Sequence, residues 1–140
     1  MKIALDTNAY TAFCKGDAIL KKIIEEAETV IFPLPVLAEL RAGFTCGNRQ
    51  NKNEKNLELF LNTPRVTVCS PNETTTFLYA QLFRQLKESG NKIPINDLWI
   101  ATLVLQNDAI LATYDNHFRH IVQLPVLPGQ GNFENQFGHD

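Results

Sequence analysis

The sequence predicts a three-layer α/β/α sandwich with a mainly parallel sheet of four to five strands. Short apolar runs of strand length alternate with longer stretches of helical periodicity along nearly all of the 140 residues, and strands separated by helices return in parallel through right-handed crossovers. The acidic residues Asp6, Glu39, Asp97 and Asp115 stand at the edges of apolar segments, in KIALD, VLAEL, IPINDLWIA and AILATYD. Two of them follow strand-like runs, and the carboxyl ends of strands are where an open parallel sheet collects its ligands. A chain of this length builds one core and is too short for two ordinary domains. Residues 1–128 are therefore expected to form one domain, followed by a polar tail over 129–140.

The first strand reads Lys2 to Leu5. Asp6, Thr7 and Asn8 then offer capping side chains before a short helix over Ala9 to Cys14. Gly16 and Asp17 reopen the chain, and Ile19, Leu20, Ile23, Ile24 and Ala27 recur at helical spacing until Thr29 to Phe32 turns strand-like. Pro33 and Pro35 mark a helix entry, since proline is tolerated in a first turn. Val36, Leu37, Leu40 and Phe44 make that helix's apolar stripe, and Glu39 lies at its border, able to face a neighbouring cavity.

Gly47 to Asn56 is rich in Asn, Lys and Gln and reads as a loop or as the exposed start of a helix that continues through Leu57 to Leu61. Pro64 ends that element, and Arg65 to Cys69 alternates as a strand does. Ser70 to Glu73 has the pattern of a capping box with Pro71 at the first helical position. It predicts a long helix carrying Phe77, Leu78, Leu82, Phe83 and Leu86 and stopping at Gly90. Leu98 to Leu105 is apolar nearly all round, which marks a buried helix, and Asn96 and Asp97 sit at its N-terminus, where free N–H groups favour a carboxylate. A strand at Ile110 to Ala112, a loop through Asp115, a turn over His117 to His120 and a last strand near Ile121 to Leu124 complete the order. No internal repeat is present.

Thirteen Lys and Arg against 15 Asp and Glu give a net charge of −2, which argues against a simple sequence-independent nucleic-acid binder. Arg41, Arg49, Lys52 and Lys55 nonetheless fall close together beside the second acid. Cys14, Cys46 and Cys69 are odd in number and widely spaced, so they suggest neither a disulfide framework nor a zinc knuckle and are expected as small buried hydrophobes. No run approaches the roughly 20 apolar residues of a membrane span, and the start lacks a signal-peptide core. A cytoplasmic protein is expected.

Carboxylates gathered without a counter-ion repel one another and take up protons. Hard cations such as Mg²⁺ and Mn²⁺ bind carboxylate oxygens and water, and can activate water and stabilise the oxygens of a phosphodiester. Neither a G-x-S-x-G nor a P-loop pattern offers a different chemistry.

LDTN at 5–8, LAEL at 37–40, PINDLWIA at 94–101 and LATYDNHF at 111–118 resemble, in order and spacing, the four acidic motifs of PIN-domain ribonucleases, and in particular VapC-type toxins of toxin–antitoxin pairs. The resemblance implies a Mg²⁺ or Mn²⁺ site of Asp6, Glu39, Asp97 and Asp115, with Asp6 and Asp97 as central ligands. Glu39 would orient or deprotonate the attacking water, and Asp115 would complete the site or hold a second ion. Thr7, Asn8 and Thr113 match positions that support the acids by hydrogen bonds. It also implies RNA as substrate, a homodimer, and an antitoxin whose C-terminal segment covers the acidic groove. The Gly47–Asn56 stretch and the tail after Pro128 match no motif of that family.

Each acid also has a plainer reading. Asp6 alone serves equally well as an N-cap, Asp97 as a first-turn acid favoured by the dipole, Asp115 as part of an ordinary Asx turn and Glu39 as a surface residue. Only their joint placement points to one site. His117 and His120, at i, i+3 beside Asp115, read more plainly as an exposed turn than as metal ligands, and Trp99 as core or dimer packing rather than a base-stacking platform. Two other functions compete: a phospho-receiver-like module, disfavoured because Arg65 to Cys69 ends in Ser70-Pro71 and not in an acceptor Asp, and a PIN fold that binds RNA without cutting it.

Overall fold

Ile3, Ala4 and Leu5 are fully buried, as the middle strand of a sheet covered on both faces requires. The computed structural model describes residues 1–129. Strand β1 (Lys2–Leu5) pairs on one side with β2 (Thr29–Pro33) and on the other with β4 (Ile110–Ala112). β3 (Val66–Cys69) adds outside β2 and β5 (Val126–Leu127) outside β4, giving the order β3-β2-β1-β4-β5 with every neighbouring pair parallel. Six helices flank the sheet: α1 (Thr7–Cys14), α2 (Ala18–Glu26), α3 (Leu34–Cys46), α4 (Gln50–Leu61), α5 (Thr75–Ser89) and α6 (Ile95–Gln106). The expected α/β/α sandwich is thus the observed one, with five strands.

From β1 the chain winds outwards to β2 and β3, then crosses back to lay β4 against the other side of β1. The two connections leave in opposite directions, so the ends of β1 and β4 form the switch point at which such sheets open a crevice. Leu5 pairs in register with Ala112. Asp6 and Thr113, the next residues, therefore leave the sheet side by side.

Side-chain caps and aromatic packing hold these elements in place. Asp17 accepts from the Leu20 N–H at 2.9 Å and starts α2. Gly90 adopts φ +75 after α5, and its N–H and that of Asn91 close on the last carbonyls of the helix. Tyr10, Phe32 and Phe60 meet edge to face at centroid separations of 5.4–5.6 Å, tying α1, β2 and α4 together. α6 is buried along most of its length, from Leu98 through Val104, as its all-round apolar sequence predicts. Trp99 is half-buried and packs on Tyr79, with ring centroids 4.3 Å apart.

Three expectations are corrected. The Ser70–Glu73 pattern does not open α5, which begins at Thr75: the Asn72 carboxamide accepts from the Thr75 N–H at 3.1 Å, and the Thr75 hydroxyl receives the Asn72 N–H at 2.8 Å. Thr75 is fully buried, and its hydroxyl also donates to Gln106 at 2.6 Å, a cross-helix bond that fixes the start there. The last strand is Val126–Leu127, while Ile121 to Leu124 forms turns that place Pro125 to bond with Leu111. Cys14 and Cys46 are exposed and Cys69 is half-buried, because the first two fall in the last turns of α1 and α3. The tail over 129–140, expected to be loosely ordered, lies from residue 130 onwards outside the described residues. Among those described, no helix is long and apolar enough to cross a membrane.

Candidate metal and catalytic site

Four short segments deliver the acids to the switch point. Asp6 follows β1 directly and is 5% exposed. One of its oxygens accepts the Ala9 N–H at 2.8 Å, which makes it the N-cap of α1, and the other accepts the Thr113 hydroxyl. The capping role and the pocket role that the sequence set against each other are held by one carboxylate. Thr113 is itself held, because its oxygen accepts the Asp115 N–H at 2.9 Å. One hydroxyl thereby links the carboxyl end of β1 to the loop after β4.

Glu39 reaches the crevice from α3, which starts where β2 ends. It is half-buried and receives the Thr7 hydroxyl at 2.5 Å. Asp97 stands in the first turn of α6 with its side chain 15% exposed. Asp115 caps a 3₁₀ turn over Asn116–His120 by accepting the His117 N–H at 2.9 Å. The His117 ring stays half exposed but lies against the acids, its Nδ1 3.0 Å from Asp115 Oδ1 and 3.5 Å from Asp97 Oδ2. Asp97, Asp115 and His117 each offer one ligand atom, all within 4.8 Å of one another.

Electrostatics show how crowded the negative charge is. Burial pushes the Asp6 carboxyl up to about 6, more than the Thr113 and Ala9 hydrogen bonds pull it down, and the charges of Asp115 and Asp97 add to the rise. Asp97 is raised in the same way, first by burial and then by Asp115 and Glu39, with His117 opposing. Asp6 and Asp97 thus each sit within reach of the charge of other acids in the cluster. Ionising these two carboxyls costs free energy, which a cation beside them would offset. The donor set of carboxylate oxygens and one imidazole nitrogen suits a divalent ion of the Mg²⁺ or Mn²⁺ kind, Mn²⁺ accepting the nitrogen more readily.

Among the seven residues singled out from sequence, six meet at this crevice: the four acids with Thr7 and Thr113. Asn8 is exposed on the first turn of α1 and forms no hydrogen bond to the acids. His117 lies in the exposed turn the sequence predicts, and its ring additionally reaches Asp97 and Asp115, which the sequence reading left out of the site. Its signal was its place two residues after Asp115. His120 is exposed at the end of the same turn.

A five-stranded parallel sheet opening at this switch point onto a cluster of carboxylates is the architecture of a PIN fold, and the match of residues 3–124 to the PIN domain shows that the chain belongs to that family. Within that family it is 33% identical over 128 residues to ribonuclease VapC1 of Haemophilus influenzae strain R2866, covering 86% of this chain and 92% of the relative. Ribonuclease VapC2 of Rickettsia felis is 28% identical over 106 residues, 76% of each chain. Among solved structures, VapBC-1 from nontypeable Haemophilus influenzae superposes with a TM-score of 0.80 at 28% identity, over 90% of this chain and 96% of that one. VapBC2 from Rickettsia felis, bound to a DNA fragment from its promoter, gives 0.79 at 28% identity over 90% and 97%.

Proposed function

We propose that this protein is a metal-dependent endoribonuclease, the toxin of a toxin–antitoxin pair, acting in the cytoplasm. The observation that carries the reading is the convergence of Asp97, Asp115 and His117 within 4.8 Å, with Asp6 and Glu39 beside them. The likeness to ribonucleases VapC1 and VapC2 supports the substrate class. Asp6, Asp97 and Asp115 would hold Mg²⁺ or Mn²⁺, with Glu39 at its edge. When bound, such a cation supplies positive charge against the phosphoryl oxygens and makes water more acidic. Glu39, aimed by Thr7, orients the attacking water or takes its proton. Thr113 fixes the rotamer of Asp6 and the backbone at Asp115, so the acids are held in place before substrate arrives.

The partner we infer is an antitoxin, a reading supported by the VapBC assemblies among the structural relatives, and the acids would suit a basic side chain supplied by it. A homodimer is also proposed. Exposed Phe83 and Ile95, with Leu86, Ile93 and Leu98, line an apolar hollow of about 390 Å³ between α5 and α6 that a second copy could cover. The deciding experiment is RNA cleavage by the purified protein with Mg²⁺ or Mn²⁺, with a chelator, and by Asp97→Asn. Cleavage that survives both the chelator and the substitution would refute the mechanism.

A further inference from the structure

We infer that the junction of α3 and α4 is a second contact surface for single-stranded RNA, gripping the phosphate backbone to one side of the bond being cut. This inference rests on the ribonuclease reading. Residues 47–56 hold three of the chain's 13 cationic residues, Arg49, Lys52 and Lys55, and only one of its 15 acids, Glu54. Glu54 is already engaged: the Arg41 guanidinium donates to both of its oxygens, at 2.8 to 3.2 Å. Arg49, Lys52 and Lys55 are exposed and form no ion pair with any described carboxylate. They recur at intervals of three, which keeps them near one side of the first turns of α4.

Helix stability does not explain them. Cations are disfavoured at the positive end of a helix, and α4 begins with no acid in its first turn and no side-chain cap. Beside them lies a concavity of about 420 Å³ lined by Gly47, Asn48, Arg49, Gln50, Asn51 and Lys52. That lining is all amide, cation and glycine. A protein partner would be expected to find an apolar centre with a polar rim, whereas a phosphate backbone asks only for charge and hydrogen-bond donors.

Position links this surface to the chemistry. Glu39 and Gly47 are eight residues apart on and just beyond α3, about 12 Å along the helix axis at 1.5 Å per residue. A strand of a few nucleotides lying across the acids therefore reaches the cations. The Arg41–Glu54 pair, with buried Leu57 and the Phe60 aromatic cluster, holds α4 to α3 and to the core, so the spacing is fixed. The acidic crevice repels phosphate until a cation enters. A basic surface one helix away gives the strand a place to bind that does not depend on that charge.

The test replaces Arg49, Lys52 and Lys55 together by Gln and follows cleavage of a long single-stranded RNA and of a dinucleotide too short to span both places. KM for the long RNA should rise about tenfold with kcat little changed, and the dinucleotide should be cut as before. In parallel, binding of the long RNA to Asp97→Asn protein is measured against salt, with and without the three changes. Losing three phosphate contacts should flatten the log–log slope by about 2, from roughly 0.7 per contact on a single strand. An Arg49→Lys, Lys52→Arg, Lys55→Arg variant, which keeps the charge, should behave as the parent. Unchanged KM and slope, or an equal loss on both substrates, would overturn the inference. A parent that binds RNA with the expected slope yet cuts none would instead fault the nuclease reading alone.

Discussion

The two ends of the sheet treat charge in opposite ways. At the end where the strands begin, charged groups meet partners that neutralise or accept them. The Arg65 guanidinium donates to the carbonyls of Ile24 and Ala27 at 2.8 and 2.6 Å, closing the end of α2, the Lys2 ammonium donates to the Asn107 carbonyl, and the N-terminal ammonium pairs with Glu28. At the end where the strands finish, burial and the neighbouring acids raise the proton affinity of Asp6 and Asp97, and His117 is the one described base lying against Asp97 and Asp115. The first arrangement contributes stability. The second crowds carboxylates together without such partners, at a cost in stability.

Paired substitutions at the two ends should separate these roles. Asp97→Asn should lower RNA cleavage by a factor on the order of 10² or more, while its thermal midpoint without metal stays level or rises. Arg65→Met should leave kcat in place and lose about 1–3 kcal/mol in denaturant titration, because two carbonyls lose their donor. If both variants lost activity and stability together, the division would fail.

A smaller effect concerns pH. The native Asp6 carboxyl titrates near 6, above its ordinary value of 3.8, so the folded chain binds its proton more tightly than the unfolded one. By linkage, the metal-free protein gains stability from this group below about pH 4, loses it as pH rises towards 6, and stays at the lower level above that. Asp6→Asn keeps a cap for α1 and carries no charge. It should therefore exceed the metal-free parent by on the order of 2 kcal/mol at pH 8, with the gap closing below pH 4. Adding Mn²⁺ at pH 8 should raise the parent's midpoint well above the variant's gain, since a ligand of the folded state alone stabilises it. The smallest change is expected at His117→Gln: a few-fold higher Mn²⁺ concentration for half-maximal cleavage, with Mg²⁺ dependence nearly unmoved.

Much of this contrast could be read from the chain, and the parts that could not have identifiable causes. The four acids were legible because each interrupts an apolar segment, and their order along the sequence resembled that of a known family. Strands β1 to β4 and the six helices were legible because burial on both faces leaves long apolar runs in β1 and α6, and Asp17 and Gly90 punctuate their neighbours. The start of α5 was misplaced because a buried Thr75 bonded to Gln106, 31 residues away, outweighs a local capping pattern at Ser70. The last strand is only two residues long, set by pairing with β4 and not by any run of its own. The approach of the His117 ring to Asp97 was hidden for a related reason: an exposed, polar, 3₁₀ segment has no periodicity, and the contact depends on where the fold brings α6. Cysteine habit failed at helix ends, where solvent reaches even small apolar groups.

Thr113 narrows what drift the site can tolerate. Its hydroxyl donates a hydrogen bond to the Asp6 carboxylate and accepts one from the Asp115 N–H, in a position 5% exposed. Valine would fill the same volume and strand two polar atoms, and cysteine would bond both poorly. Serine alone among the common side chains keeps both bonds, at the expense of one methyl group. A saturation library at this codon should therefore return two amino acids among its active clones.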